Sequence, residues 1–168
     1  NLLLFAAVRD GASDLHQLQV DGGGARSLTS RTAINQHGDY SPDGFDIAFM
    51  SNRSGTYQVY VTGTAGAPAL QLTSGGGANG FPRWSPDGTR VLFTSSRDGN
   101  FEIYYAVFDQ DGARIGGERR LTSHAEDSAF AVFARGGADI GVLWNDFRDL
   151  NWEVYFTELL CSGDGLSQ

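Results

Sequence analysis

The side chains of this protein that could do chemistry are few in kind. Its 168 residues include three histidines, a single cysteine and twenty aspartates and glutamates. All twelve basic residues are arginine, so Schiff-base and P-loop lysine chemistry are excluded. His16, His37 and His124 lack the His-x-x-x-His spacing that sets two imidazoles on one helix face to hold zinc. No Gly-x-Ser-x-Gly run is present to form a nucleophile elbow. Cys161 alone can make neither an intrachain disulfide nor a cysteine zinc cluster. No catalytic residue is therefore assigned and no obligate cofactor is expected.

Weaker constellations remain. Asp109 and Asp111 precede Gly112, with Glu118 beyond, and could offer oxygens to Ca²⁺. The frame is wrong for an EF-hand, and an Asp-Gly turn in a long hairpin explains the same residues. Glu126 and Asp127 are the best carboxylate pair for acid–base work on a glycan or peptide. Adjacent residues of a strand point to opposite faces, which argues against them. Arg9, Arg53, Arg97 and Arg148 are each followed five residues later by Asp14, Gln58, Glu102 and Glu153. The expected role is a structural pair across a hairpin. Ser74 to Gly80 is glycine-rich, but no helix follows it to present amides to a phosphate, and it reads as a connection. Asn52-Arg-Ser54 is a lone glycosylation sequon on a turn.

The formal charge is −8, which argues against nucleic acid or an anionic membrane surface as main partner. No apolar run nears the roughly 18 residues of a membrane span. Hydrophobic residues make up 40% of the chain, enough to build a core. The chain opens on Asn1 and not Met, which reads as a processed product or a piece of a longer one.

The elements that must position these groups are set by a repeat. The arginines named above are 44, 44 and 51 residues apart. Seven residues after each stands His16, Tyr60, Tyr104 or Tyr155. Leu-Thr-Ser recurs at 28, 72 and 121, and Pro-Asp-Gly at 42 and 86, degrading to Arg135-Gly136-Gly137. The repeat gives approximate units 1–41, 42–85, 86–134 and 135–160 and a tail over 161–168, all in one domain. Unit by unit, Pro-Asp-Gly and Arg-Asp-Gly turns alternate with short apolar, β-branched runs. In the best unit the runs are Phe81–Trp84, Arg90–Thr94, Phe101–Phe108 and Arg119–Thr122. Four strands repeated every 40-odd residues predict an all-β propeller of about four blades.

Ser41-Pro-Asp-Gly-Phe-Asp-Ile-Ala-Phe49 and Ser85-Pro-Asp-Gly-Thr-Arg-Val-Leu-Phe93, followed by Arg-Asp-Gly, Glu-Ile-Tyr and Leu-Thr, resemble the TolB-like, WD-type propeller repeat. The resemblance runs from Leu2 to about Leu160. It implies a rigid, exported platform, periplasmic or extracellular, that binds a protein (or glycan) without chemistry of its own. It equally fits the accessory propeller of a larger hydrolase. It also implies that the segment before Pro-Asp-Gly is the innermost strand. Blade 1 is then expected to lack its inner strand and blade 4 its outer one. A longer propeller, or self-association through the open end blades, would complete them. By the same wiring, the connections into the inner strands form a ligand-binding rim of Asn35, Gln36, Asp39, Asn79, Arg83, Glu126, Asp127 and Ser128. His16 is expected packed in its blade; His37 and His124 are expected on the connections, in solvent.

Overall fold

The computed structural model describes residues 2–29, 32–109, 112–136, 139–148 and 150–159. Among the described residues fourteen strands form four antiparallel sheets, and no helix occurs. Blade 1 is β1 (Leu2–Arg9), β2 (Ala12–Gln19) and β3 (Ala25–Ser27). Blade 2 is β4 (Asn35–Tyr40), β5 (Asp46–Ser51), β6 (Gln58–Gly63) and β7 (Leu70–Gln71). Blade 3 is β8 (Asn79–Trp84), β9 (Arg90–Ser95), β10 (Glu102–Phe108) and β11 (Arg114–Arg120). Blade 4 is β12 (Ser128–Gly136), β13 (Asp139–Asp146) and β14 (Glu153–Leu159). Each sheet is a meander in chain order. Its first strand is β4, β8 or β12, and these inner strands neighbour one another from blade to blade. The sheets are thus phased one strand earlier than the repeat units. The fourth strand of blade 3 starts at Arg114, not Arg119, because the Asp109–Ala113 turn closes a longer hairpin than the repeat suggests.

Local chemistry explains the turns. Ser41 Oγ and Ser85 Oγ accept from the backbone N–H of Asp46 and Arg90, closing the Pro-Asp-Gly loops. Asp43 accepts from Phe45 N–H and Asp87 from Thr89 N–H, each in the same turn. The residue after each Pro-Asp is a glycine at positive φ, 78° at Gly44 and 72° at Gly88. Only glycine reaches that region without a Cβ penalty.

The core lies in the seams between sheets. Leu4, Leu15 and Leu28 of blade 1 meet Ile47, Phe49 and Tyr60 of blade 2. Ala48, Val59, Val61 and Leu72 of blade 2 meet Val91, Phe93, Tyr104 and Ala106 of blade 3. Leu92, Ile103 and Tyr105 of blade 3 meet Val142 and Trp144 of blade 4. Strands buried on both faces carry apolar residues without alternation, as Ile47–Met50 and Val91–Phe93 do.

The connection 72–78 must pass close under the next blade. Gly77 sits at φ 76°, and a Cβ there would lie 2.7 Å from the backbone of Ser96 and Arg97. Gly77→Ala is expected to cost about 1–2 kcal/mol in a denaturant melt. Gly76→Ala, where a Cβ meets open space, is expected to cost less than half of that.

Candidate functional site

Each blade carries a ring pair of the same origin. Phe5–His16, Phe49–Tyr60, Phe93–Tyr104 and Trp144–Tyr155 lie 5.5, 5.9, 5.8 and 6.0 Å apart between centroids. His16 is therefore packed in its blade. Over these rings lie the guanidinium groups of Arg53, Arg97 and Arg148, 4.6, 4.5 and 3.7 Å from the tyrosine centroids. Desolvation and the bond to Asp98 push the Tyr104 hydroxyl up to about 12.

The repeated arginine does not pair with the acid or amide five residues later. Arg53 Nη2 donates to Asn35 Oδ1 at 2.9 Å, and Arg97 Nη2 to Asn79 Oδ1 at 2.7 Å. The asparagine then bridges to the previous blade: Asn79 Nδ2 donates to Gln58 Oε1 at 2.9 Å, and Asn35 Nδ2 to Asp14 Oδ1 at 3.4 Å. Gln58 and Glu102 also accept from the threonine of Leu-Thr-Ser, Thr73 and Thr122. The geometric reason is register. The arginine sits on the β5–β6 or β9–β10 hairpin, beside the start of its own inner strand. In blade 4 the pattern is redistributed. Ser128 stands where Asn35 and Asn79 stand, and Asp146 replaces Ser51 and Ser95. Asp146 accepts from Arg148 Nε at 2.9 Å, Arg148 Nη2 at 2.7 Å and Ser128 Oγ at 2.9 Å. The Arg148 bonds hold the Asp146 carboxyl well below the usual carboxylate range.

Three expected rim residues are consumed by these seams. Asn35, Asn79 and Ser128 are buried and cannot meet a ligand from the surface. Asp127 is half-buried, and its Oδ1 accepts from Phe101 N–H at 2.9 Å. Glu126 and Asp127 lie on the loop before β12, not on a strand. Gln36, Asp39 and Arg83 remain half-buried on the inner strands. Asp39 Oδ2 accepts from Trp84 N–H across the seam at 2.7 Å. Burial raises the Asp39 carboxyl, against the pull of that bond and of Arg83.

The structure adds Phe81 and Phe130, which the sequence did not single out, beside His37, which it did. Each inner strand is bulged, between Gln36 and Asp39, Gly80 and Arg83, and Ala129 and Val132. In each bulge a non-glycine residue sits in the left-handed region: His37 at 52°, Phe81 at 54° and Phe130 at 56°. Their side chains form a row. His37 lies 4.5 Å from Phe81, and Phe81 lies 5.0 Å from Phe130, between ring centroids. His37 is thus on β4 itself, against an aromatic ring and not on a connection, though it is exposed to solvent as expected. Partial burial, then Arg83, lowers its basicity. A bulky residue at positive φ costs about 1–2 kcal/mol relative to glycine. His124 is exposed on its connection, as expected.

The groups read for Ca²⁺ are engaged elsewhere. Glu118 is bound by Arg97 and by Arg114, and Asp109 Oδ1 accepts from Ala113 N–H at 2.8 Å in an Asx turn. Asp111 lies outside the described residues. Asn52 Oδ1 of the sequon accepts from Ile34 N–H at 2.7 Å. A cleft of about 470 Å³ between blades 2 and 3 is walled by Trp84 and Phe108 and rimmed by Asp43, Asp46 and Asp87. Asp43 and Asp87 close their own turns there.

Comparison with known proteins follows this geometry. The family model of the TolB beta propeller domain matches residues 1–144. The chain belongs to the TolB β-propeller family. A TolB structure from Agrobacterium tumefaciens is 25% identical, with a TM-score of 0.66, over 91% of this chain and 60% of that one. TolB from Acinetobacter baumannii is 23% identical, with a TM-score of 0.62, over 86% of this chain and 38% of that one. A puromycin-hydrolyzing peptidase of Mycobacterium tuberculosis shares the fold alone, at 13% identity and a TM-score of 0.63, over 96% of this chain and 29% of that one. An uncharacterised protein of Agrobacterium fabrum is 36% identical over 56 residues, 33% of this chain and 19% of its own. This TolB-family chain therefore spans at most about 60% of the relatives' length. No helix among the described residues is long and apolar enough to cross a membrane.

Proposed function

We propose that this TolB-family propeller is a non-catalytic platform in an exported compartment, holding a protein partner at its inner wall. The observation that carries the reading is the His37–Phe81–Phe130 row. Three equivalent positions accept backbone strain to place rings there, where glycine would cost nothing. Such strain concentrates at ligand clamps and switch regions. Beside the row, Arg83 Nη1 donates to the carbonyl of its neighbour Pro82 at 3.0 Å, its one hydrogen bond among the described residues. Gln36, Asp39 and Arg83 supply the polar edge of the rim, and Glu126 extends it on the connection before β12. The consumption of the repeat's polar residues by seam hydrogen bonds supports a binding role over a catalytic one. The similarity to a peptidase's propeller supports a second reading, in which the platform is the accessory domain of a hydrolase.

The test joins binding to fold. Phe81→Gly/Phe130→Gly is expected to melt within about 1 kcal/mol of the parent, because lost contacts and relieved strain oppose each other. Its capture of a cross-linkable partner from the exported fraction is expected to fall at least tenfold. Phe45→Ser, on an exposed turn, is expected to leave capture unchanged. Equal capture by both variants would defeat the reading. So would turnover of a glycoside or peptide that disappears in Glu126→Gln.

A further inference from the structure

Two departures from the repeat meet in the cleft between blades 2 and 3, each of which has all four strands. The first departure is electrostatic. In blade 3 the turn acid Asp87 has a cation three residues on: Arg90 Nη1 lies 3.4 Å from Asp87 Oδ2. The place of Arg90 is taken in blade 2 by Asp46, so the turn acid Asp43 has a second carboxylate beside it. Asp43 stays ionised, because Ser41 Oγ and the Phe45 N–H donate to its Oδ1 and hold it below the usual carboxylate range. Asp46 is half-buried, and its carboxylate makes no hydrogen bond or ion pair among the described residues. Burial, then Asp43, raises it.

The second departure is aromatic. Trp84 and Phe108 of blade 3 wall the cleft, their ring centroids 5.3 Å apart. The same two positions hold Tyr40 and Thr64 in blade 2, and Phe133 and Leu159 in blade 4. The Trp84 indole Nε1 is screened from solvent and has no hydrogen-bond partner among the described residues. The cleft volume of about 470 Å³ falls within the range of about 300–1,000 Å³ of small-ligand sites. An aromatic face attracts a cation through its ring quadrupole, most strongly at tryptophan. A carboxylate whose near neighbour is another carboxylate is stabilised by a cation that reaches it. An inorganic ion fits less well. Ca²⁺ takes about six to eight oxygens, and no three acids, histidines or cysteines converge on one point among the described residues. An organic cation uses the rings and the acids together.

We propose that the cleft between blades 2 and 3 binds an organic cation, its alkyl or guanidinium surface against Trp84 and Phe108 and its charge at Asp46 and Asp43. None of the inner-wall row of His37, Phe81 and Phe130 lines this cleft, so the site is separate from the one proposed above. The cationic head is either free, as in choline, or carried on an arginine or lysine side chain. The chemistry that recognises it is the same.

The test titrates the full chain with choline chloride and with acetyl-Gly-Arg-Gly-amide at constant ionic strength, following the indole N–H signals by NMR. Trp84→Phe identifies the Trp84 signal by its loss. At least one probe is expected to shift that signal saturably. Tighter binding of choline assigns a free small molecule, and tighter binding of the peptide a basic side chain. Asp46→Arg restores the arrangement of Asp87 and Arg90. It is expected to weaken binding about tenfold or more, with a melting temperature equal to the parent's or higher. Asp46→Asn is expected to weaken binding in the same direction, and it stands if the arginine variant misfolds. Asp21→Asn removes the same charge from an exposed turn of blade 1 and is expected to leave binding unchanged. No saturable shift with either probe would overturn the proposal. Equal weakening by Asp46→Asn and Asp21→Asn would overturn it as well, as would displacement of the bound probe by equimolar calcium chloride.

Discussion

Asn79→Ala is expected to lower stability by about 2–4 kcal/mol, among the largest effects of any polar substitution in this chain. Asn79 is 1% exposed and spans the seam between blades 2 and 3. Its removal leaves Arg97 Nη2 without its acceptor and takes a donor from Gln58. A buried group stripped of its partner costs about 1–3 kcal/mol, and more when charged. The sequence contains its own control. Blade 4 uses Ser128 and Asp146 where blade 3 uses Asn79 and Ser95. The double variant Asn79→Ser/Ser95→Asp transplants that arrangement. It is expected to be about 1–2 kcal/mol more stable than the sum of its single variants. Denaturant melts of the four proteins in the cycle measure this, and strict additivity would show that the two arrangements are not equivalent solutions.

Acid is expected to loosen blade 4 through Asp146. Its carboxylate is fully buried and accepts three bonds from Arg148, one of them from the backbone N–H, and one each from Ser128 and Trp144. Its folded-state proton affinity is therefore below that of the unfolded chain, where a free aspartate titrates near about 3.9. The unfolded state takes up the proton first. The stabilisation is thus complete above about pH 5 and lost progressively as pH falls through and below 4. Asp146→Asn is expected to cost about 2–3 kcal/mol at pH 7, since Arg148 loses its counter-charge. The same variant is expected to show a shallower decline in melting temperature between pH 5 and pH 3. Parallel declines in the two proteins would assign the acid sensitivity to other carboxylates.

Much of the fold was legible because the repeat is written in residues with local physical meaning. Pro-Asp-Gly specifies a turn by itself, through proline's fixed φ and glycine's access to positive φ. The spacing of those turns then sets strand length, strand number and the four-blade count. The site was legible only in part. Asn35, Asn79 and Ser128 were placed on the inner strands, but their polar side chains suggested a rim and not a buried bridge. Whether an asparagine faces solvent or a neighbouring sheet depends on contacts with residues 18 and 21 positions away. The left-handed bulges at His37, Phe81 and Phe130 carry no local signature, since a phenylalanine ordinarily avoids positive φ. They arise because each inner strand pairs out of step with its neighbour, a property of the assembled sheet. Composition, turns and period therefore determined the propeller. The stacking of one blade on the next decided which polar residues became structural, and which rings line the inner wall.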